Sequence, residues 1–117
     1  MNTPVNFEIA RLLTYTDFNQ KSVNIGYNIA TKELSFDYPL EYMNQKAIAA
    51  PTIAEVLMWL YNKYKLWISV SHKRHPQGKH FAYNIKQANE INTYLWKHNS
   101  PTEAYEAAIE YTLNNLI

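Results

Sequence analysis

The two runs Leu66-Trp67-Ile68-Ser69-Val70-Ser71 and Phe81-Ala82-Tyr83-Asn84-Ile85-Lys86 decide the fold. In the first, Leu66, Ile68 and Val70 alternate with Trp67, Ser69 and Ser71; in the second, Phe81, Tyr83 and Ile85 alternate with Ala82, Asn84 and Lys86. A period of two is the mark of a half-buried strand, because successive side chains leave opposite faces of a pleated backbone. Between the runs lies His75-Pro76-Gln77-Gly78-Lys79, a turn by composition. Strands over 66–73 and 79–86 therefore pair as an antiparallel hairpin.

The same reading extends to both sides. Upstream, Val23, Ile25, Tyr27 and Ile29 share one face and Asn24, Gly26 and Asn28 the other; after a turn near Thr31 and Lys32, Leu34, Phe36 and Tyr38 continue the pattern as a first hairpin. Thr52 with Glu55, after Pro51, and Ser100 with Glu103, around Pro101, have the spacing of a capping box, in which the hydroxyl accepts from a free amide and the carboxylate reaches back to the cap. Apolar residues then recur at helical spacing at Ile53, Val56, Leu57, Leu60 and Tyr64, and at Tyr105, Ala108, Ile109, Leu113 and Leu116. A third helix is expected around Phe7, Ile9, Ala10, Leu12 and Leu13, capped by Thr3 or Asn6. Residues 87–99 fit either a short strand through Ile91, Thr93 and Leu95 or a packed loop. The expected order is α-β-β-α-β-β-α. It describes an α+β fold in a single domain, residues 1–117, with an antiparallel sheet of two hairpins, helices packed on one face and a polar, open opposite face.

Composition narrows the function. A chain of 117 residues buries roughly two thirds of its unfolded surface, enough for an ordinary core. Cysteine is absent, which excludes disulfides, thiolate catalysis and thiolate zinc sites. Two glycines, Gly26 and Gly78, cannot build a glycine-rich phosphate loop. No apolar run has the length of a membrane helix, and the N-terminus lacks a basic segment followed by an apolar one. A cytoplasmic location and no membrane partner are the expectations.

Charge is sorted along the chain. The formal net charge is only +1, yet residues 56–89 contain no Asp or Glu and carry Lys63, Lys65, Lys73, Arg74, Lys79 and Lys86 together with His72, His75 and His80. Such sorting makes a local field that attracts anions. On the hairpin, the open face would present Trp67, Ser69, Ser71, Lys73, His80, Asn84 and Lys86. Lys73, Arg74 and Lys79 are the candidates to hold phosphate, Trp67 or Tyr83 to stack a base or ribose, and Ser69, Ser71 and Asn84 to meet polar edges, with His80 a further residue of the site. The same pattern also suits a solvated hairpin tip whose lysines deter edge pairing.

Other chemistries find less support. His72, His75 and His80 have no carboxylate near them in sequence, so no metal site is assigned, and no cofactor is expected. Of the four histidines only His98, in His98-Asn99-Ser100, stands in a His-x-Ser/Thr motif, and the lack of a second disfavours phosphodiesterases built on pairs of them. A metal-independent ribonuclease would need a base, an acid and a cation, which His80, Lys73 and Tyr83 or Arg74 could supply in principle. Glu103, Glu106 and Glu110 are expected on one solvated helix face, where they could meet the basic hairpin of a second subunit.

Three segments carry a resemblance: Asn6-Phe7-Glu8-Ile9-Ala10-Arg11-Leu12; Ala50-Pro51-Thr52 running into Trp59-Leu60-Tyr61-Asn62-Lys63-Tyr64; and Thr102-Glu103-Ala104-Tyr105-Glu106-Ala107 leading to Leu116-Ile117. In these the chain resembles a set of small uncharacterised proteins of gut Bacteroidales, their phages and mobile elements. The resemblance implies a mobile-element context and no activity. The expectation is a non-enzymatic binding protein that sequesters an anionic small molecule such as a defence-signalling nucleotide, as a homo-oligomer. The alternatives are an interaction module inhibiting a host protein and a nuclease or RNA-binding protein.

Overall fold

The computed structural model describes residues 3–20, 23, 25–35, 47–75, 78–87 and 90–117. The expected strand positions Asn24, Phe36 and Tyr38 and the turn residues Pro76 and Gln77 lie outside the described residues. The fold is α+β, and its chain forms two compact units, residues 1–55 and 56–117.

In the first unit, α1 (Phe7–Leu13) starts at Asn6, whose Oδ1 accepts from the Ile9 amide at 2.9 Å, so Asn6 rather than Thr3 is the cap. Ile9, Ala10 and Leu13 make its buried stripe. The helix stops where Thr14 Oγ1 donates to the Arg11 carbonyl (2.6 Å) and Thr16 Oγ1 to that of Leu13 (2.7 Å). Strands β1 (Gly26–Asn28) and β2 (Leu34–Ser35) pair as the expected hairpin. Asn28 Oδ1 closes its turn by accepting from the Ala30 and Thr31 amides, and Lys32 takes φ 60°. Ile29, expected on the apolar face, falls in this turn and is exposed. A third strand, β3 (Ala47–Ala49), pairs antiparallel with β1 and gives the order β2-β1-β3. The Tyr27 hydroxyl donates to the Val5 carbonyl at 2.6 Å, and its ring meets Phe7 edge-on.

Helix α2 (Ile53–Tyr64) opens with the capping box: Thr52 Oγ1 accepts from the Glu55 amide and the Glu55 carboxylate accepts from the Thr52 amide, both at 3.2 Å. It ends at Lys65, which takes φ 54° while its amide donates to the Tyr61 carbonyl. This left-handed residue is a helix stop of the kind glycine usually supplies.

In the second unit the chain runs from Lys65 into β4 (Leu66–His75), followed by β5 (Gly78–Gln87) and β6 (Glu90–His98). Their order is β4-β5-β6, antiparallel throughout. The hairpin pairs further than composition suggests. The ladder continues to His75↔Gly78, so His75, Gly78 and Lys79 of the expected turn lie in the strands. Pairing along the ladder overrides the weak strand preference of His and Gly. Residues 90–98 form a full strand. A step of two residues along β5, from Phe81 to Tyr83, is matched by a step of four along β6, from His98 to Tyr94, which makes a bulge.

Helix α3 (Pro101–Asn115) packs on this sheet. Ser100 Oγ accepts from the Glu103 amide at 3.1 Å, as the spacing predicts, but the Glu103 carboxylate reaches one residue further back, to the Asn99 amide (2.9 Å). The buried stripe is Ala104, Ala108, Ile109 and Thr112. Tyr105 and Leu113, expected in the core, are half-buried instead. Small residues let the helix lie close to the sheet, and the Thr112 hydroxyl is satisfied within it by donating to the Ala108 carbonyl at 2.8 Å. Opposite the helix, Leu66, Ile68, Tyr83 and Ile85 form the sheet side of the core, with Ile68 directly across from Ile85.

Candidate functional site

Strand register sorts the sequence candidates. Cross-strand partners share a face, so the pairs Trp67↔Lys86, Ser69↔Asn84, Ser71↔Ala82 and Lys73↔His80 belong to one face of the β4–β5 hairpin. Leu66, Ile68, Val70, His72, Phe81, Tyr83 and Ile85 belong to the other. Arg74 pairs with Lys79 near the tip. The register thus gathers Trp67, Ser69, Ser71, Lys73, His80 and Asn84 in one row, and puts Arg74, Lys79 and Tyr83 in the other. Tyr83 lies in the core-facing row, 3% exposed, where burial, and after it the neighbouring Tyr111, push its phenol above the usual tyrosine range. It cannot share a ligand with Trp67 through the sheet. The acid–base–cation set drawn on His80, Lys73 and Tyr83 is split by the same parity.

The face bearing Trp67 is not uniformly open. Ala82 is buried, and Ser71 Oγ is a buried atom with no hydrogen-bond partner. Both ring nitrogens of His80 are buried as well. At the other end Trp67 is 45% exposed and Lys86 is exposed. Here α2 adds side chains that sequence spacing alone does not bring in. The Tyr61 ring meets Trp67 edge-on, with centroids 5.6 Å apart, and Lys65 Nζ stands 5.6 Å from the Tyr61 centroid. Met58, one helical turn before Tyr61, is exposed too. The open end of the face is therefore two exposed aromatic rings flanked by Lys65 and Lys86.

His72 and His80 do not converge. His72 stacks on Phe81, centroids 4.6 Å apart, in the row opposite to that of His80. Among the described residues, no group of three or more His, Cys, Asp or Glu is placed to hold a metal ion. No described helix is long and apolar enough to cross a membrane.

A second feature lies on the helix-covered side. A cleft of about 410 Å³ runs along α3, lined by Tyr83, His98, Ala107, Glu110, Tyr111, Asn114 and Asn115. Of these, only Tyr83 was singled out as a site residue by the sequence. His98 and Glu110 lie on different elements, and nothing local in the sequence joins them. The three helix carboxylates expected on one solvated face have separate settings: Glu103 caps, Glu106 is half-buried, and Glu110 enters the cleft.

No protein-family model matches the chain, and no curated protein or solved structure matches it significantly.

Proposed function

We propose that the protein is a non-enzymatic binding protein for an anionic small molecule with a flat ring, a nucleotide in particular, held at the open end of the β4–β5 face. The observation that carries this reading is the pairing of exposed Trp67 with Lys86, beside Tyr61 and Lys65, in a segment free of carboxylates. An exposed indole offers a stacking surface that accepts any base, and ammonium groups on either side offer charge to a phosphate. Ser69 and Asn84, the next pair along the same face, supply hydroxyl and amide groups for polar edges. Lys73, Arg74 and Lys79, further along the hairpin, add to the positive field that draws an anion in. The resemblance to proteins of phages and mobile elements favours a defence-signalling nucleotide, and sequestration in the host cytoplasm, as the biological setting. A shallow surface holds a small ligand weakly, so a homo-oligomer in which a second copy closes over Trp67 fits the proposal.

A second reading rests on Met58, Tyr61 and Trp67 as exposed apolar anchors: an interaction module that inhibits a host protein. The two differ in their dependence on phosphate. A thermal-shift screen against mono-, di- and cyclic nucleotides and ADP-ribose derivatives separates them. A ligand at a hundred times its dissociation constant adds about 2.7 kcal/mol of stability. A shift that disappears in Trp67→Ala supports nucleotide binding, with intact ligand recovered afterwards excluding turnover. A flat screen transfers the case to a protein partner.

A further inference from the structure

The cleft along α3 is chemically unlike the Trp67–Lys86 surface. Its volume of about 410 Å³ lies within the range of small-molecule sites. Ala107 lines it with a small side chain, Tyr83 and Tyr111 bring aromatic rings, Glu110 a carboxylate and Asn114 an amide. Among the described residues lining it there is no lysine or arginine. His98, which ends β6 beside the bulge, has a buried Nε2 with no hydrogen-bond partner. A buried polar atom without a partner is costly, and a ligand that supplies one recovers that cost. Asn115 is already engaged, since its Nδ2 donates to the Tyr111 carbonyl at 3.0 Å.

These groups select one sign of charge. An anion would meet the Glu110 carboxylate with no cation to offset it. A neutral polyol would find hydrogen bonds but leave that carboxylate unmatched. A protonated amine matches it, finds tyrosine rings whose π faces attract cations, and has N–H groups to donate to an imidazole nitrogen. We infer that this cleft binds a small organic amine, its ammonium group held by Glu110 with Tyr111 and Tyr83 and an N–H given to His98 Nε2. The site is independent of the Trp67–Lys86 surface, so failure of either leaves the other standing.

Calorimetric titration of the full chain with phenethylamine and with putrescine tests it, with phenethyl alcohol and butanediol as neutral counterparts. At least one amine is expected to bind saturably, and its alcohol about tenfold more weakly or worse. Glu110→Gln is expected to weaken amine binding by about tenfold with melting unchanged, and Asn114→Ala, an exposed helix position, to weaken it by a smaller factor. The ring signals of His98 should move on amine addition, and Lys86→Ala should bind amine like the parent. Absence of saturable binding by both amines, equal binding of an amine and its alcohol, or an unaltered affinity in Glu110→Gln would overturn the inference.

Discussion

Trp67 on β4 and Lys86 on β5 stand directly across from each other, and both reach the surface of the sheet. Directly opposed residues hold their Cβ atoms about 5 Å apart, so one ligand can touch ring and ammonium together. Trp67→Ala should weaken nucleotide binding by about 1–3 kcal/mol, the usual worth of a base–aromatic stack. Lys86→Ala should weaken binding of the phosphorylated ligand while leaving its nucleoside unaffected. Titration of both variants with nucleotide and nucleoside reads this difference. Neither change should shift the unfolding free energy by more than about 0.5 kcal/mol, since both side chains are at the surface.

The caps of α2 and α3 make a prediction about stability. Thr52 and Ser100 each accept from the amide three residues on. Thr52→Ala and Ser100→Ala should each cost about 1 kcal/mol, while Ser100→Gly should cost only a few tenths. Urea unfolding of the three variants gives these values directly, with an unchanged slope confirming that only stability moved.

Lys65 takes a left-handed conformation, φ 54°, between α2 and β4. Its ammonium also stands over the Tyr61 ring, so a comparison of two truncations isolates the backbone term. Lys65→Gly and Lys65→Ala both lose that contact, and only alanine keeps the steric conflict with its carbonyl. Lys65→Gly should therefore be more stable than Lys65→Ala by about 1 kcal/mol. Equal stabilities would mean that the backbone at Lys65 is not left-handed.

Tyr83 links burial to pH. Its phenol is raised from the ordinary value of 10.0, chiefly by burial. A folded-state value above the unfolded one favours the neutral form in the native state. The associated stability is present in full below pH 10 and is lost as pH rises through the folded value. Thermal stability should fall in that alkaline window, and part of the fall should be absent in Tyr83→Phe, measured against the parent protein at matched pH.

How far the sequence alone reaches can be seen residue by residue. The alternation in 66–71 and 81–86 correctly sets the two rows of the β4–β5 hairpin, because side-chain parity in a strand is strict. It also places Tyr83 in the apolar row, opposite to Trp67, so the two rings are not alternatives at one site. The capping boxes locate α2 and α3, since their hydrogen bonds are local. Strand β3 leaves no such trace: Ala47-Ile48-Ala49 has little strand preference of its own and is held by pairing with β1. The buried stripe of α3 holds Ala108 and Ile109 as the spacing predicts, but its other members differ for a related reason. Hydrophobicity points to Tyr105 and Leu113, whereas close approach to a sheet rewards Ala104 and Thr112. Tyr61 beside Trp67, and His98 and Glu110 lining one cleft, are juxtapositions made by packing, with no spacing in the chain to announce them.

The most direct test of nucleotide binding is a calorimetric titration of the parent protein and Trp67→Ala with the ligand that gives the largest thermal shift, at low and high salt. Saturable binding by the parent, weakened about tenfold or more in Trp67→Ala and reduced by salt as phosphate contacts require, is the expected result. Equal affinity in the two proteins, or no saturable binding of any nucleotide, would contradict it.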